Sequence, residues 1–130
     1  MIERLTHRWR QETAEQEAAI AAGTLSPDDA YALAFFPPAF VAAVDAALEA
    51  YEQEIARLDP PTDEAVWAAV ERVVVALNDI DVEFGRHIET MTREELCAYI
   101  EEVLADAGID VDALLERRGV DEVAGEWRDW

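Results

Sequence analysis

Two apolar seams in consecutive segments constrain the fold of this chain more than any other sequence feature. The first seam recurs alternately three and four positions apart, at Val41, Val44, Leu48, Tyr51, Ile55 and Leu58. The second repeats that spacing, at Val66, Val70, Val73, Leu77, Ile80 and Phe84. Such spacing places the six side chains of each segment on one stripe of an α-helix. Because only the turn DPPTDE separates the two segments, the sequence predicts a central antiparallel helix hairpin.

Two segments before the hairpin also have helical signals. The first helix is predicted from about Ile2 to Ala22, where Gly23 provides a C-terminal stop. A short second helix follows in SPDDAYALAFF, with Ser26 as its cap. Two consecutive prolines then end that helix, because proline lacks the backbone donor.

Two helices are predicted after the hairpin. Thr92 and Glu95 have the spacing of a capping box ahead of an apolar helix that stops at Gly108. Asp110 or Asp112 then starts a brief helix, and the rest of the chain is irregular or forms one loose turn. We therefore predict an all-α fold, a compact helical bundle of four to six helices that makes one domain over residues 1–130.

The charge of the chain is strongly acidic. Ten basic residues, all of them arginine, stand against thirty acidic residues, which gives a net charge of −20. This charge repels nucleic-acid phosphates and anionic lipid, so we expect no nucleic-acid or membrane partner and favour a basic protein. We expect the small basic group Arg4, Arg8 and Arg10 to pair with acidic helices of the chain itself.

Three features of the sequence predict where the protein is located. The first residues have no apolar run typical of a signal peptide, and Cys97 is the only cysteine. The most apolar window, AVERVVVALNDI, is too short and too charged to span a membrane. These features favour a cytoplasmic protein. The two seams could equally serve a homodimer interface.

The sequence contains no recognised catalytic or cofactor motif. It has no P-loop, no G-x-G-x-x-G and no G-x-S-x-G, and neither histidine has the glutamate three positions before it that di-iron bundles use. DAGIDVDALLE places its glycine at the wrong position for an EF-hand. We therefore predict no catalytic residue, no metal site and no cofactor.

Ionisable residues crowd the end of the second seam, in NDIDVEFGRHIE. Asp79, Asp81 and Glu83 fall between the seam residues, so we expect them to be solvated, as we do His87 and Glu89 beyond the helix end. These five residues are candidates for binding a partner. The alternative is a hydrolase or metal-dependent enzyme, which would require Asp79, Glu83 and His87 to converge on one point.

The chain ends in GEWRDW, which places Trp127 and Trp130 among charged residues. We favour an arrangement in which at least one tryptophan folds back onto the bundle and covers the thin apolar face of the first helix. The alternative is an exposed aromatic hook, because tryptophan and arginine are typical interface anchors. On that reading both tryptophans join the candidate partner-binding residues.

The stretch VVVALNDIDVEFGRHIETMTREELCAYIEEVL, with the ending EWRDW, is similar to small uncharacterised helical proteins of bacteria. In size and acidity the whole chain resembles the immunity proteins of bacterial toxin systems. This second resemblance is one of class, so it assigns no role to individual residues. It implies a non-enzymatic protein that neutralises a cationic toxin domain through an acidic helical face.

One further hypothesis concerns the origin of the acidity. Abundant alanine and arginine without lysine would also arise from coding bias or from adaptation to high salt. The chain would then be a helical domain with no selective basic partner. Its stability would rise as salt screens the repulsion between its carboxylates.

Overall fold

The fold is all-α, as the sequence predicts. A computed structural model describes residues 3–30, 32 and 35–130, and these residues form five α-helices, one 3-10 turn and no strand. The α-helices are α1 (Leu5–Ala21), α2 (Pro38–Ala56), α3 (Asp63–Glu83), α4 (Thr90–Asp106) and α5 (Val111–Arg118), and the 3-10 turn is Pro27–Asp29. The predicted start at Ile2 lies outside the described residues.

The predicted hairpin is the centre of the bundle. Helices α2 and α3 pack along their length, and their seam side chains are buried within the single chain from Val41 to Ile55 and from Val66 to Leu77. Leu58, Ile80 and Phe84, at the seam ends, are only partly buried and pack against this core. The apolar spacing therefore predicted which faces of α2 and α3 meet, because each apolar stripe must be shielded from water.

Helices α1 and α4 complete the core through large side chains. Trp9 of α1 is fully buried and stacks on Phe36, with ring centroids 4.8 Å apart, and on Phe40 at 6.2 Å. On the other side, the buried hydroxyl of Tyr51 donates a hydrogen bond to the Ile100 carbonyl at 2.9 Å. One bulky residue thus anchors the otherwise polar α1.

Several helix ends carry local sequence signals, and Ser26 and Asp110 cap their elements as predicted. The side chains of Ser26, Thr62 and Asp110 each accept a backbone N–H at the start of their element, and Gly119 ends α5 in the left-handed conformation. Pro37 and Pro38 lie at the start of α2, where the missing donor of Pro38 costs nothing. Within the predicted short second helix, Tyr31, Leu33 and Ala34 lie outside the described residues.

The predicted capping box at Thr92 is wrong. Helix α4 begins two residues earlier, at Thr90, and the preceding Glu89 makes no side-chain cap. Glu95 is engaged elsewhere, because its carboxylate accepts the Trp9 indole N–H at 3.2 Å and pairs with Arg8 at 2.7 Å. Contacts with α1 therefore outweigh the local capping pattern.

Candidate interaction surface at the end of helix α3

A tight turn joins the end of α3 to the segment before α4. Gly85 and Arg86 both adopt the left-handed conformation, with φ of 76° and 63°, and the Arg86 N–H bonds back to the Asp81 carbonyl. A non-glycine residue rarely adopts such a φ, so this turn is held by its surroundings. It directs Ile88 back into the core.

Asp81 is the main correction to the predicted site. Its exposed fraction is only 1%, so the expectation that it is solvated is wrong. Its carboxylate accepts the Ile88 N–H at 2.8 Å and lies 3.6 Å from the Arg86 guanidinium. Asp81 lies seven positions after Val74 and fourteen after Trp67, and both of these residues are also buried. This spacing places all three residues on one face of α3. In this structure Asp81 supports the turn from inside.

Three of the other predicted residues are exposed as expected. Asp79 and Glu83 on α3, and Glu89 before α4, face solvent, and no ion pair engages them among the described residues. Their carboxylates are therefore accessible to an external partner. The turn therefore carries accessible carboxylates on its outer side and one buried carboxylate, that of Asp81, inside.

His87 is half-buried, so the expectation that it is solvated is wrong, and it makes two specific contacts. Its ring packs edge-on against Phe40, with centroids 4.8 Å apart, and its Nε2 lies 2.5 Å from the Phe35 carbonyl oxygen. Because a carbonyl can only accept, Nε2 carries the proton in this bond. His87 therefore fastens the turn to the segment before α2.

The C-terminal tail is bound at the same end of α3. The Asn78 amide donates to the Trp127 carbonyl at 2.8 Å, and the Asn78 carbonyl oxygen accepts the Asp129 N–H at 2.8 Å. Arg86 donates to the Asp129 carbonyl at 2.8 Å. These bonds place the two sequence regions that were predicted to bind a partner, the acidic cluster and the tryptophan tail, on one surface.

Trp127 is half-buried in a stack with Trp67 and Arg118. The two indole rings lie 6.0 Å apart, and the Arg118 guanidinium lies 4.6 Å from the Trp67 ring and 5.3 Å from the Trp127 ring. Arg118 also pairs with Glu126 at 2.7 Å. A cation that contacts two aromatic rings is an attractive arrangement, and it ties the tail to α3 and α5.

Trp130 is buried, which confirms that at least one tryptophan folds back. Only 9% of it is exposed, and it belongs to the main core. Next to it, Arg128 lies over the Trp130 ring and 3.6 Å from the Cys97 sulfur of α4. Burial raises the pKa of the Cys97 thiol, although the Arg128 charge acts in the opposite direction. These contacts lie on α3, α4 and α5, whereas the sequence analysis expected the tail to cover α1.

The N-terminal arginines pair with the helices of the chain itself, as predicted. Arg4 pairs with Asp45 at 3.0 Å and with Glu52 at 2.7 Å, and Arg10 reaches Asp45 at 3.6 Å. Burial alone would raise the pKa of Asp45, but hydrogen bonds from Thr6 and Arg4 and the charge of Arg10 hold that pKa below its ordinary value. This basic group is therefore occupied internally.

The geometry does not bring Asp79, Glu83 and His87 together as the enzyme hypothesis requires. Asp79 and Glu83 face solvent, whereas His87 is engaged with Phe35 and Phe40. Across residues 3–30, 32 and 35–130, no three His, Cys, Asp or Glu side chains are grouped to hold a metal ion. The helices described there include none long and apolar enough to cross a membrane.

Sequence reasoning missed the features that organise this surface. Asn78 and Arg86 were counted within the acidic cluster, but nothing local showed that they bind the backbone of the tail, nearly fifty residues further along the chain. The burial of Asp81 had a signal, namely its seven-residue spacing from Val74. Arg93 also received no role, although it lines a large cavity beside α4.

Together these observations define an all-α bundle protein. The end of its helix α3 carries exposed carboxylates beside an aromatic tail that is hydrogen-bonded to the bundle. Residues 25–120 match a family described as "Family of unknown function (DUF5713)", and the chain belongs to that family. The matched region includes residues 73–104, which the sequence analysis singled out for a resemblance. No curated protein and no solved structure matches the chain.

Proposed function

We propose that this chain is a non-enzymatic interaction protein that binds a basic protein domain, in the manner of an immunity protein that neutralises a cationic toxin. The binding surface is the outer side of the α3 end, formed by Asp79, Glu83, Glu89 and the exposed part of Trp127. One observation carries the proposal: these three carboxylates are exposed and make no ion pair, within the described residues, on a chain of net charge −20.

The use of the arginines supports this proposal. Eight of the ten pair with carboxylates of the chain, from Arg4 with Asp45 near the N-terminus to Arg128 with Glu122 near the C-terminus. Most of the arginine side chains are thus engaged in ion pairs within the chain, and the remaining carboxylates have no counter-charge from these arginines. Such a surface attracts a cationic partner over distances of about 10 Å and accelerates its association.

The aromatic tail gives the acidic surface a second recognition element. Trp127 is half-buried and rests on Trp67 and Arg118, so its ring is held in place before a partner arrives. A pre-positioned indole beside charged groups is a common interface anchor, because little side-chain freedom is lost on binding. In this proposal three residues support the surface from inside the bundle without contacting the partner, namely Asp81, His87 and Trp130.

The test is binding to the product of the neighbouring gene, where a basic toxin is expected upstream. In the variant Asp79→Asn/Glu83→Gln/Glu89→Gln we expect the association rate to fall about tenfold at low salt. Surface plasmon resonance across a salt series measures this rate. The matched control Glu17→Gln/Glu71→Gln/Glu116→Gln removes the same charge from exposed positions on α1, α3 and α5.

The control separates the proposal from its main competitor. If both triple variants slow association equally, the charge acts without a defined surface, as expected for acidity that reflects coding bias or salt adaptation. If the neighbouring product is not basic, or does not bind at low salt, the immunity-type function is wrong. A selective effect of the first variant supports the surface at the end of α3.

A further inference from the structure

A large cavity lies beside the start of α4, away from the tail. Its volume is about 580 Å³, and its lining includes Phe35, Phe36, Thr90, Met91, Thr92 and Arg93. Cavities of this size hold small organic molecules in many proteins. The chemistry of the lining then decides what kind of molecule fits.

Arg93 is an unsatisfied cation in this lining. Unlike the eight paired arginines it contacts no carboxylate in the part of the chain that the structure describes, and its Nε is buried without a hydrogen-bond acceptor. Buried donors are nearly always paired, because an unpaired one has lost its hydrogen bonds to water without gaining others. Arg57 also has no ion pair in the described residues, but its side chain is exposed to water, whereas the Arg93 Nε is shielded from water and has no acceptor there.

The first turn of α4 adds further donors to the same cavity. Glu89 makes no side-chain cap, and the backbone N–H groups of Thr90, Met91 and Thr92 have no acceptor among the described residues. Uncapped N–H groups at the start of a helix form a favourable anion site, because they coincide with the positive end of the helix dipole. This turn and Arg93 line the cavity together, so both supply donor groups beside it.

The walls beside these donors are apolar. Met91 is 76% exposed and Phe35 is 37% exposed, which is unusual for side chains of this size, and Phe36 lies beneath them. Exposed apolar groups around a concave surface are typical of ligand sites. A ligand that covered them would need an apolar body in addition to an anionic group.

The negative charge of the acidic residues in the lining is partly offset by Arg8 and by solvent. Glu95 is held by Arg8 at 2.7 Å and by the Trp9 indole, and Glu12 lies 3.9 Å from Arg8. Two of the three lining carboxylates are thus partly neutralised, and the third, Glu89, is exposed to solvent. Water and salt screen an exposed charge of this kind more than a buried one.

We propose that this cavity binds a small monocarboxylate with an apolar body, whose carboxylate is held by Arg93 and the first turn of α4. The apolar body lies against Phe35, Phe36 and Met91. This ligand function is separate from the proposed binding of a basic protein. Glu89 borders both surfaces, so it stays unchanged in the ligand-binding experiments below.

The experiment uses calorimetry with decanoate, decanol and acetate as probes. Decanoate should bind saturably, whereas decanol lacks the charge and acetate lacks the apolar body, so each should bind at least about tenfold more weakly. The variant Arg93→Gln should weaken decanoate binding about tenfold or more. The matched control Arg57→Gln removes the other arginine that has no ion pair in the described residues, and it should change binding less than about twofold.

A second variant separates binding from folding. Met91→Asp places a like charge in the cavity wall, but it also adds an acidic residue to the first turn of α4, which favours the helix. It should abolish decanoate binding without lowering the thermal unfolding temperature. In the wild type, decanoate should also shift the NMR signal of the Arg93 Nε–H group.

The outcomes are distinct. If decanoate does not saturate the wild type, or if decanol binds equally well, the proposal is overturned. Equal losses in Arg93→Gln and Arg57→Gln would show that only net charge matters and would also overturn it. None of these results bears on binding of the neighbouring gene product, so the two proposals can fail independently.

Discussion

The side chain of Asn78 forms two hydrogen bonds with the backbone of the tail, one to the Trp127 carbonyl and one from the Asp129 N–H, both 2.8 Å long. An amide side chain offers one donor group and one acceptor, so a single residue satisfies both backbone groups. This pairing fixes the register of the tail against α3. Trp127 is thereby directed towards Trp67, and the chain continues to the buried Trp130.

Removal of the Asn78 amide should release the tail. We expect Asn78→Ala to lower the free energy of unfolding by about 1–3 kcal/mol, because two backbone groups lose their partners. Urea denaturation followed by tryptophan fluorescence measures the change. The neighbouring variant Asp79→Ala removes an exposed side chain without such bonds and should change stability by less than about 0.5 kcal/mol. Equal effects of the two variants would contradict this role of Asn78.

Trp130 should stabilise the bundle mainly through burial, with a smaller contribution from the Arg128 guanidinium over its ring. Its Nε1 has no hydrogen-bond acceptor in the described ranges, so the indole contributes by packing. We expect Trp130→Ala to lower the free energy of unfolding by about 3–5 kcal/mol and Trp130→Phe to lower it by clearly less. Calorimetric unfolding distinguishes the two variants. A phenylalanine variant as unstable as the alanine variant would show that the contribution is not simple burial.

Asp81 should be needed for the turn after α3. In Asp81→Ala the buried Ile88 N–H loses its acceptor, and we expect a loss of about 2–4 kcal/mol in the free energy of unfolding. Asp81→Asn keeps an oxygen in the same place and should recover part of that loss. Chemical denaturation of both variants, with exposed Glu83→Ala as the control, tests this. If the asparagine variant is no better than alanine, the Ile88 hydrogen bond is not the cause.

Asp45 should make stability depend on acid pH. Its pKa is lowered in the folded protein by Thr6, Arg4 and Arg10 despite its burial, so the folded state favours the ionised carboxylate. This contribution is complete above the ordinary aspartate pKa, and it is lost as the pH falls through the lowered pKa. The stability difference between wild type and Asp45→Asn should therefore shrink between about pH 5 and pH 2.

The control for the acid effect is Asp121→Asn, which changes an exposed aspartate of the tail. Denaturation curves at several pH values give the free energies for the three proteins. The difference between wild type and the Asp121 variant should stay nearly constant over that range. A difference for Asp45→Asn that grows as the pH falls would reverse the expected sign and would contradict the assignment.

Cys97 should report on opening of the tail. Burial raises its thiol pKa, and Arg128 lies against its sulfur, so we expect iodoacetamide to modify it much more slowly than a free thiol at the same pH. Asn78→Ala should accelerate the reaction several-fold, because the tail is less firmly bound. Mass spectrometry follows the modification. An unchanged rate in this variant, despite lower stability, would indicate that Cys97 is reached without release of the tail.

Local sequence signals predicted the helices because helix formation depends on residues within about four positions of one another. The seams of α2 and α3 appear as apolar spacing, and the caps at Ser26, Thr62 and Asp110 appear as short side chains with acceptor oxygens. Glu95 shows the limit of such signals. Its local spacing indicated a cap, but Trp9 and Arg8, far away in sequence, engage its carboxylate instead.

The sequence by itself determined the all-α class, the paired seams of the hairpin and the net charge of −20, because each follows from composition or from spacing along one helix. Only the tertiary structure decided that Asn78 holds Trp127, that Arg86 binds the tail backbone and that Arg93 lines a cavity without an ion-pair partner in the described residues. The physical reason is that burial and pairing at these positions depend on chain segments brought together by folding. Their partners lie up to about fifty residues away, and no local pattern specifies them.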